Sequence, residues 1–220
     1  MMSKKEVFRR YIVFILGLFF AGVGVAFTKH GDSGVSPISS VANVISIKFP
    51  VMTLGNWLIV WNCVLIVGQV LILRRNFKMY QLFQIPLSFL FGWFTDFGMW
   101  LASFIPTPNY IAKLVILLLG IVILSLGISL SVIANVIMNS GEALVKAISD
   151  TIHKEFGYVK VAFDVACVIV AVGLSVIFFR GKIVGTREGT IISALLTGLV
   201  VKFITKHIRG FVMKAIEYKL

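Results

Sequence analysis

The sequence is short of charge, and of acidic charge most of all. Only 14% of its 220 residues are Asp, Glu, Lys or Arg, with 9 acidic residues against 21 basic ones. A soluble domain is about a quarter charged and about half apolar. This chain is 59% apolar, with a mean hydropathy of +1.00. Water could not cover that much apolar surface, so a soluble globular fold is excluded and an integral membrane protein is implied. Cysteine is nearly absent. Cys63 and Cys167 both fall inside apolar runs with no partner at metal-ligand spacing, which points to packing rather than a disulfide or a metal site. His30, His153 and His207 lie far apart, near the ends of apolar runs, so no metal centre is expected. There is no His-Glu-x-x-His, no Gly-x-Ser-x-Gly and no Cys-x-x-Cys. With no nucleophile and base set together, the chain reads as neither an enzyme nor a cofactor carrier.

What it has in quantity is long apolar runs, at about 11–29, 55–73, 83–105, 114–138, 158–179 and 189–206. Each is near the ~20 residues that cross a hydrocarbon core as a helix. Barrel strands would be shorter and would alternate. The net charge of +12 would suggest nucleic acid in a soluble protein. Here it follows from basic residues gathering on cytoplasmic loops, so the expected partner is the lipid bilayer and not nucleic acid. With the N-terminus inside, only Lys29, Lys48, Lys113, Arg180, Lys182 and Arg187 fall outside, leaving fifteen of the 21 basic residues inside. That count puts both termini in the cytoplasm. The basic start, Lys4-Lys5 to Arg9-Arg10, runs straight into the first apolar run without a small-residue cleavage region. It reads as a retained first helix rather than a signal peptide.

The runs form one unit written twice. Residues 10–105 and 113–206 each carry a long span, a short glycine-led segment and two more spans. Leu16-Gly17 and Gly24 match Leu119-Gly120 and Gly127 at a separation of 103; Gly34 and Phe49 match Gly141 and Phe156 at 107. Cys63 matches Cys167 at 104, and Gly92 and Phe97 match Gly198 and Phe203 at 106. Three spans per copy invert the second copy in the bilayer, as in secondary transporters. The fold expected is therefore an all-α membrane protein: a single transmembrane domain of six transmembrane helices as two inverted three-helix repeats, each with a short amphipathic or re-entrant helix after its first span. In residues 36–48, Ser36 suits the cap and Pro37 the first turn of such a helix. There Ser36, Ser39, Ser40, Asn43 and Ser46 draw one polar stripe. Residues 141–155 repeat the pattern with Lys146, Ser149, Asp150 and His153. Residues 207–220 read as a short basic amphipathic tail on the inner leaflet.

Ionisable and amide residues inside spans are costly and so become site candidates. Asp96 leads, in Gly92-Trp93-Phe94-Thr95-Asp96-Phe97, with Lys202 at the equivalent position of the second copy. The two either pair near a central axis or sit at opposite membrane ends. Asp164 lies one turn after Lys160, an i, i+4 pair that serves either structure or a site. Asn62 is the deeper of two amides in the second span, and Gln69 and Asn135 are further polar positions. Gln84 and Thr190 occupy matching places at the starts of the third and sixth spans. Gly17–Ala21 and Gly22–Ala26 allow close helix contact. Gly185-Thr186-Arg187-Glu188-Gly189-Thr190 is a glycine-rich turn into a helix, suited to anions but lacking the Gly-Lys-Ser/Thr of a nucleotide loop.

Arg9-Arg10 before a glycine-rich span, Gly34-Val35-Ser36-Pro37 and Leu54-Gly55 resemble the YczE-like bacterial membrane proteins of the YczE/YyaS/YitT group. Val159-Lys160 followed by Asp164, and Gly185 to Gly198, are similar to that family too, so the resemblance runs from residue 9 to about 206. This chain departs from it at Phe83-Gln84, where Gly-Thr would be expected, and at Gly141-Glu142-Ala143-Leu144, which lacks a proline. The resemblance implies a bacterial cytoplasmic (inner) membrane protein connected with transport, with no substrate attached. Three functions follow as expectations. The first is a small-molecule transporter or exporter with a midplane site, drawn from Asp96, Asn62, Asp164, Ser36, Ser39, Ser40, Asn43, Gln84 and Thr190. The second is the substrate-binding membrane subunit of a vitamin-type importer driven by ATPase subunits. The third is a scaffold without cargo. A small-molecule substrate, a second copy of the chain (a homodimer) and ATPase subunits are the candidate partners.

Overall fold

A computed structural model describes residues 3–31 and 34–217. Among these the chain is helical and has no strand. The helices are α1 (Lys4–His30), α2 (Pro37–Lys48), α3 (Leu54–Leu73), α4 (Gln84–Ser103), α5 (Tyr110–Ala134), α6 (Ser140–Ile152), α7 (Phe156–Phe178) and α8 (Glu188–Glu217). Two short 3-10 turns, Arg74–Asn76 and Met79–Phe83, link α3 to α4. Six helical stretches are long and apolar enough to cross a membrane: α1, α3 with its following turn, α4 with its preceding turn, α5, α7 and α8. α2 and α6, at 12 and 13 residues, are too short.

Polar side chains in the linkers start these helices. Ser3, Thr53 and Asn109 each accept the third backbone N–H that follows, opening α1, α3 and α5. This satisfies donors that a helix start leaves unpaired. Ser36 was expected to do the same for α2, but its hydroxyl donates to Ser39 Oγ instead at 2.9 Å. Pro37 does open α2. Asn135 ends α5 and His153 ends α6, both left-handed. The fourth apolar run, now α5, therefore closes four residues short of the 138 expected from hydropathy. A second difference is larger. α8 continues without a break through His207 to Glu217, so the basic tail is the last third of the sixth span's helix rather than a separate segment. Apolar positions carry the helical period past residue 206, and no Gly-Pro stop intervenes. Met1, Met2 and residues 218–220 lie outside the described residues.

α1 and α5 form the axis of the bundle, packed along their whole length. Glycine makes that approach feasible. A Cβ on Gly24 would strike the Leu124 backbone, and one on Gly127 would strike Ala21. The other small-residue pair of α1 faces elsewhere. Gly22 lies against Phe94 and Thr95 of α4, and Ala26 against Gly98. One helix thus uses two stripes of small residues for two neighbours, the close packing that stands in for a hydrophobic driving force in lipid. Phe14, Leu18, Val25, Leu58, Phe91 and Leu124 fill the core between α1, α3, α4 and α5.

The remaining helices are arranged crosswise. α4 packs on α1 and α8 packs on α5. The short helix α2 lies on α7, and the short helix α6 lies on α3. The first turns of the two short helices meet, since a Cβ on Gly141 would stand 2.8 Å from Ile38 Cδ1. α3 and α4 run packed along each other, whereas α7 and α8 meet at isolated points at most. The lipid-facing share differs accordingly: 61% of the apolar window of α1 is buried, against 6% for α8.

Candidate functional site

Asp96 is half-buried and already engaged. Its carboxylate accepts from Thr53 Oγ1 at 2.6 Å and from the Gly55 N–H at 2.8 Å. It therefore sits on the N-terminus of α3, where backbone N–H groups and the helix dipole favour an anion. Lys29 lies within electrostatic reach of it and donates to Ser46 Oγ at 3.1 Å. The cluster joins the ends of α1, α2, α3 and α4. Lys202 is exposed on α8, and α4 and α8 are not a packed pair. The structure does not bring Asp96 and Lys202 together.

The hydroxyl stripe of α2 is buried, and its groups mostly bond to backbone. Ser40 donates to Pro37 O at 2.6 Å and approaches Cys167 O at 3.5 Å, while Ser46 donates to Asn43 O at 2.8 Å. Asn43 donates to Gly185 O at 2.7 Å, which fastens α2 to the turn before α8. Its Oδ1 keeps no partner. These contacts seat α2 between α7 and the turn before α8.

Gln84 and Thr190, matched in the sequence, have unequal surroundings. Gln84 and Gln69 exchange amide hydrogen bonds of 3.0 Å in both directions. Gln69 also donates to Ser140 O at 3.1 Å, and Ser88 donates to Gln84 O at 2.7 Å. This fully buried clasp joins α3, α4 and the start of α6. Thr190 lies directly against Gly34, whose positive φ of 129° suits glycine. Among the described residues Thr190 Oγ1 is buried without a partner, as are Ser193 Oγ and Thr197 Oγ1 further along α8. Asn62 is buried in α3 with Nδ2 unpaired, and the neighbouring Trp61 Nε1 is unpaired as well. Unsatisfied buried groups are uncommon and costly. Here they gather on α8 and on α3.

Asp164 has a richer setting than its spacing suggested. Lys160 Nζ donates to both of its carboxylate oxygens at 2.5 Å. Glu142, in the first turn of α6, lies within electrostatic reach of both. Burial pushes the Glu142 carboxyl up from its ordinary range, and the Lys160 ammonium opposes that. Lys160 is ion-paired with Asp164, and the Glu142 carboxyl lies near both where α6 meets α7. Sequence reasoning found the Lys160–Asp164 pair but missed Glu142, which only the fold of α6 onto α7 supplies. The signal available was an acidic residue in a helix's first turn. Among the described residues no group of His, Cys, Asp and Glu is placed to hold a metal ion.

The sequence model of a family of unknown function, DUF6198, matches residues 8–206. Those residues include every element from α1 to the middle of α8. The chain is also 25% identical over 201 residues to a Bacillus subtilis (strain 168) protein described as "Uncharacterized membrane protein YczE". That match covers 91% of this chain and 87% of the relative. No solved structure matches. With six spans and a match over nearly all of the helical bundle, the chain belongs to the DUF6198 family of YczE-like multi-pass membrane proteins.

Proposed function

We propose that the protein is a small-molecule transporter of the bacterial inner membrane, with both termini cytoplasmic, built as two inverted three-span halves that rock about the α1–α5 axis. The observation that carries this reading is the crosswise packing. α2, from the first half, seats on α7 of the second, and α6, from the second, seats on α3 of the first. Exchange of this kind is what a two-fold axis in the membrane plane generates, and such repeats underlie alternating access. The meeting of Ile38 with Gly141 fits short helices that begin inside the bundle, where irregular backbone is tolerated if protein covers it.

The two halves then differ in their polar contacts. The first ties α3 to α4 through Gln69 and Gln84, and holds Asp96 on the start of α3. The second leaves Thr190, Ser193 and Thr197 unpaired beside an α7–α8 contact that is barely made. Those hydroxyls, with Asn43 and Asn62, are the groups a solute would satisfy. Glu142, Lys160 and Asp164 are the groups through which a proton or cation would couple.

A flux screen in proteoliposomes tests the reading. The purified protein is reconstituted and challenged with labelled small solutes, with and without a pH gradient. Uptake of a solute that Thr190→Val slows and Asp164→Asn uncouples from the gradient is expected. Flux identical to empty vesicles across sugars, amino acids, nucleosides, organic anions and cations would leave transport without support and favour the scaffold.

A further inference from the structure

A polar cavity lies well away from the polar groups just described. It has a volume of about 360 Å³ and opens between the start of α1, the end of α5 and the second half of α8. Arg10, Asn135, Thr205 and Arg209 supply its polar lining, and Val132 and Met213 part of its apolar wall. Arg10 is only 7% exposed. Its Nε and Nη2 donate to Glu6 Oε1 at 3.0 and 2.9 Å, and its Nη1 donates to Ala134 O at 3.1 Å. These bonds hold the guanidinium in place at the end of α5, and a guanidinium carries more N–H groups than they use. Thr205 Oγ1 is buried and has no partner. A second cavity of about 410 Å³ lies between α1 and α8, lined by Arg9, Phe211, Lys214 and Ala215. Two cationic side chains, Arg10 and Arg209, therefore line the first groove, with Arg9 and Lys214 on the second, and Glu6 offsets Arg10 in part.

We infer that this groove binds one phosphate-bearing anion, the headgroup of an anionic phospholipid. A fixed guanidinium and a second one from α8 match the paired oxygens of a phosphate in a way a single ammonium does not. The Thr205 hydroxyl supplies a third polar contact. The apolar flank decides the source. Val132 and Phe211 are well exposed beside the two cavities, so acyl chains leave the groove along lipid-facing surface. A free anion would gain nothing from that wall. Basic pockets between spans at the membrane boundary are chemically suited to acidic headgroups. This assignment is independent of transport and stands or falls by itself.

Native mass spectrometry of the full chain in detergent, titrated with phosphatidylglycerol or phosphatidylcholine, is the test. One phosphatidylglycerol per chain is expected, bound roughly tenfold tighter than phosphatidylcholine. Arg209→Gln and Thr205→Val should each weaken it, Arg209→Gln by roughly tenfold, while Lys182→Gln in the α7–α8 turn leaves it unchanged. Arg209 is exposed, so its loss spares the fold, and an unaltered melting profile confirms that. Millimolar inorganic phosphate that fails to displace the lipid assigns the groove to the headgroup. Phosphate that displaces it, and binds alone, assigns the same residues to free phosphate. Equal retention by wild type, Arg209→Gln and Thr205→Val, or equal affinity for the two lipids, overturns the site.

Discussion

The two halves of this molecule share a plan and differ in how tightly it is closed. In the first half, α3 and α4 approach through Gly55 and Gly92; a Cβ on Gly92 would stand 2.7 Å from Gly55 O. Asp96 and the Gln69–Gln84 pair then tie the same two helices at both ends. In the second half the counterpart of Gly92 is Gly198, which has nothing within 4 Å, and Gly173 of α7 is equally open. The polar groups follow that division in part: Asp96, Gln69 and Gln84 are satisfied between α3 and α4, whereas Thr190, Ser193 and Thr197 are unpaired along α8, as are Trp61 and Asn62 on α3. One half is a sealed three-layer contact and the other has its last helix held chiefly by α5. The lesson is that sequence symmetry conserved the landmarks without conserving the contacts they make. A glycine is a close-packing residue only where a second helix is present to use it.

The largest effect should come from adding one methyl group at each of the two matched glycines. Gly92→Ala forces the α3 backbone away and is expected to cost about 1–3 kcal/mol, the usual penalty of overpacking. Gly198→Ala meets open space and should be neutral or slightly stabilising, since alanine is the better helix former. Thermal loss of the monodisperse peak in size-exclusion chromatography reads both. Equal destabilisation by the two variants would mean that α8 is packed as tightly as α4, and the comparison would collapse.

A somewhat smaller contrast is expected at the matched polar positions. Gln84→Leu removes both amide bonds to Gln69 and leaves that buried side chain unpaired, at a cost of about 1–3 kcal/mol. Thr190→Val removes a hydroxyl that already lacks a partner and keeps its shape, so no loss of stability is expected. A destabilisation of equal size at the two positions would show that Thr190 has a partner, water or solute, that holds the second half together.

Much of this architecture was legible in the chain. Six spans and two short helices follow from hydropathy and glycine placement, because crossing a bilayer imposes length and composition directly. The two small-residue stripes of α1 were visible as well, though not which helix each would meet. What could not be read was pairing. Asp96 reads as a lone intramembrane acid, yet the Thr53 hydroxyl and the Gly55 N–H, more than forty positions away in the chain, satisfy it. Glu142 carries no local sign that Lys160 will face it. The tail's continuity with the sixth span was not legible for a related reason: a basic amphipathic stretch reads the same whether it stands apart or continues a span. Its three-dimensional role depends on Arg9, Arg10 and the end of α5, which hydropathy does not place beside it.

The smallest effect concerns Glu142, and its sign separates two descriptions of the α6–α7 junction. Burial raises its carboxyl above the ordinary value of 4.5, with Lys160 opposing. A raised folded-state pKa means the folded protein keeps a proton that the unfolded chain gives up. The stabilisation is complete below the ordinary value and is lost as pH rises through the folded value, after which it levels off. Glu142→Gln mimics the protonated form at every pH, and Asp164 still balances Lys160. Wild type should therefore lose stability relative to Glu142→Gln as pH climbs from 4.5, and the variant should be the more stable at neutral pH. Chemical denaturation in detergent at several pH values measures the difference. The opposite trend, with wild type gaining on the variant as pH rises, would make Glu142 an ionised partner of Lys160. The second half would then own a charged lock equivalent to the one Asp96 provides in the first, and the asymmetry between the halves would lie in the α7–α8 contact alone.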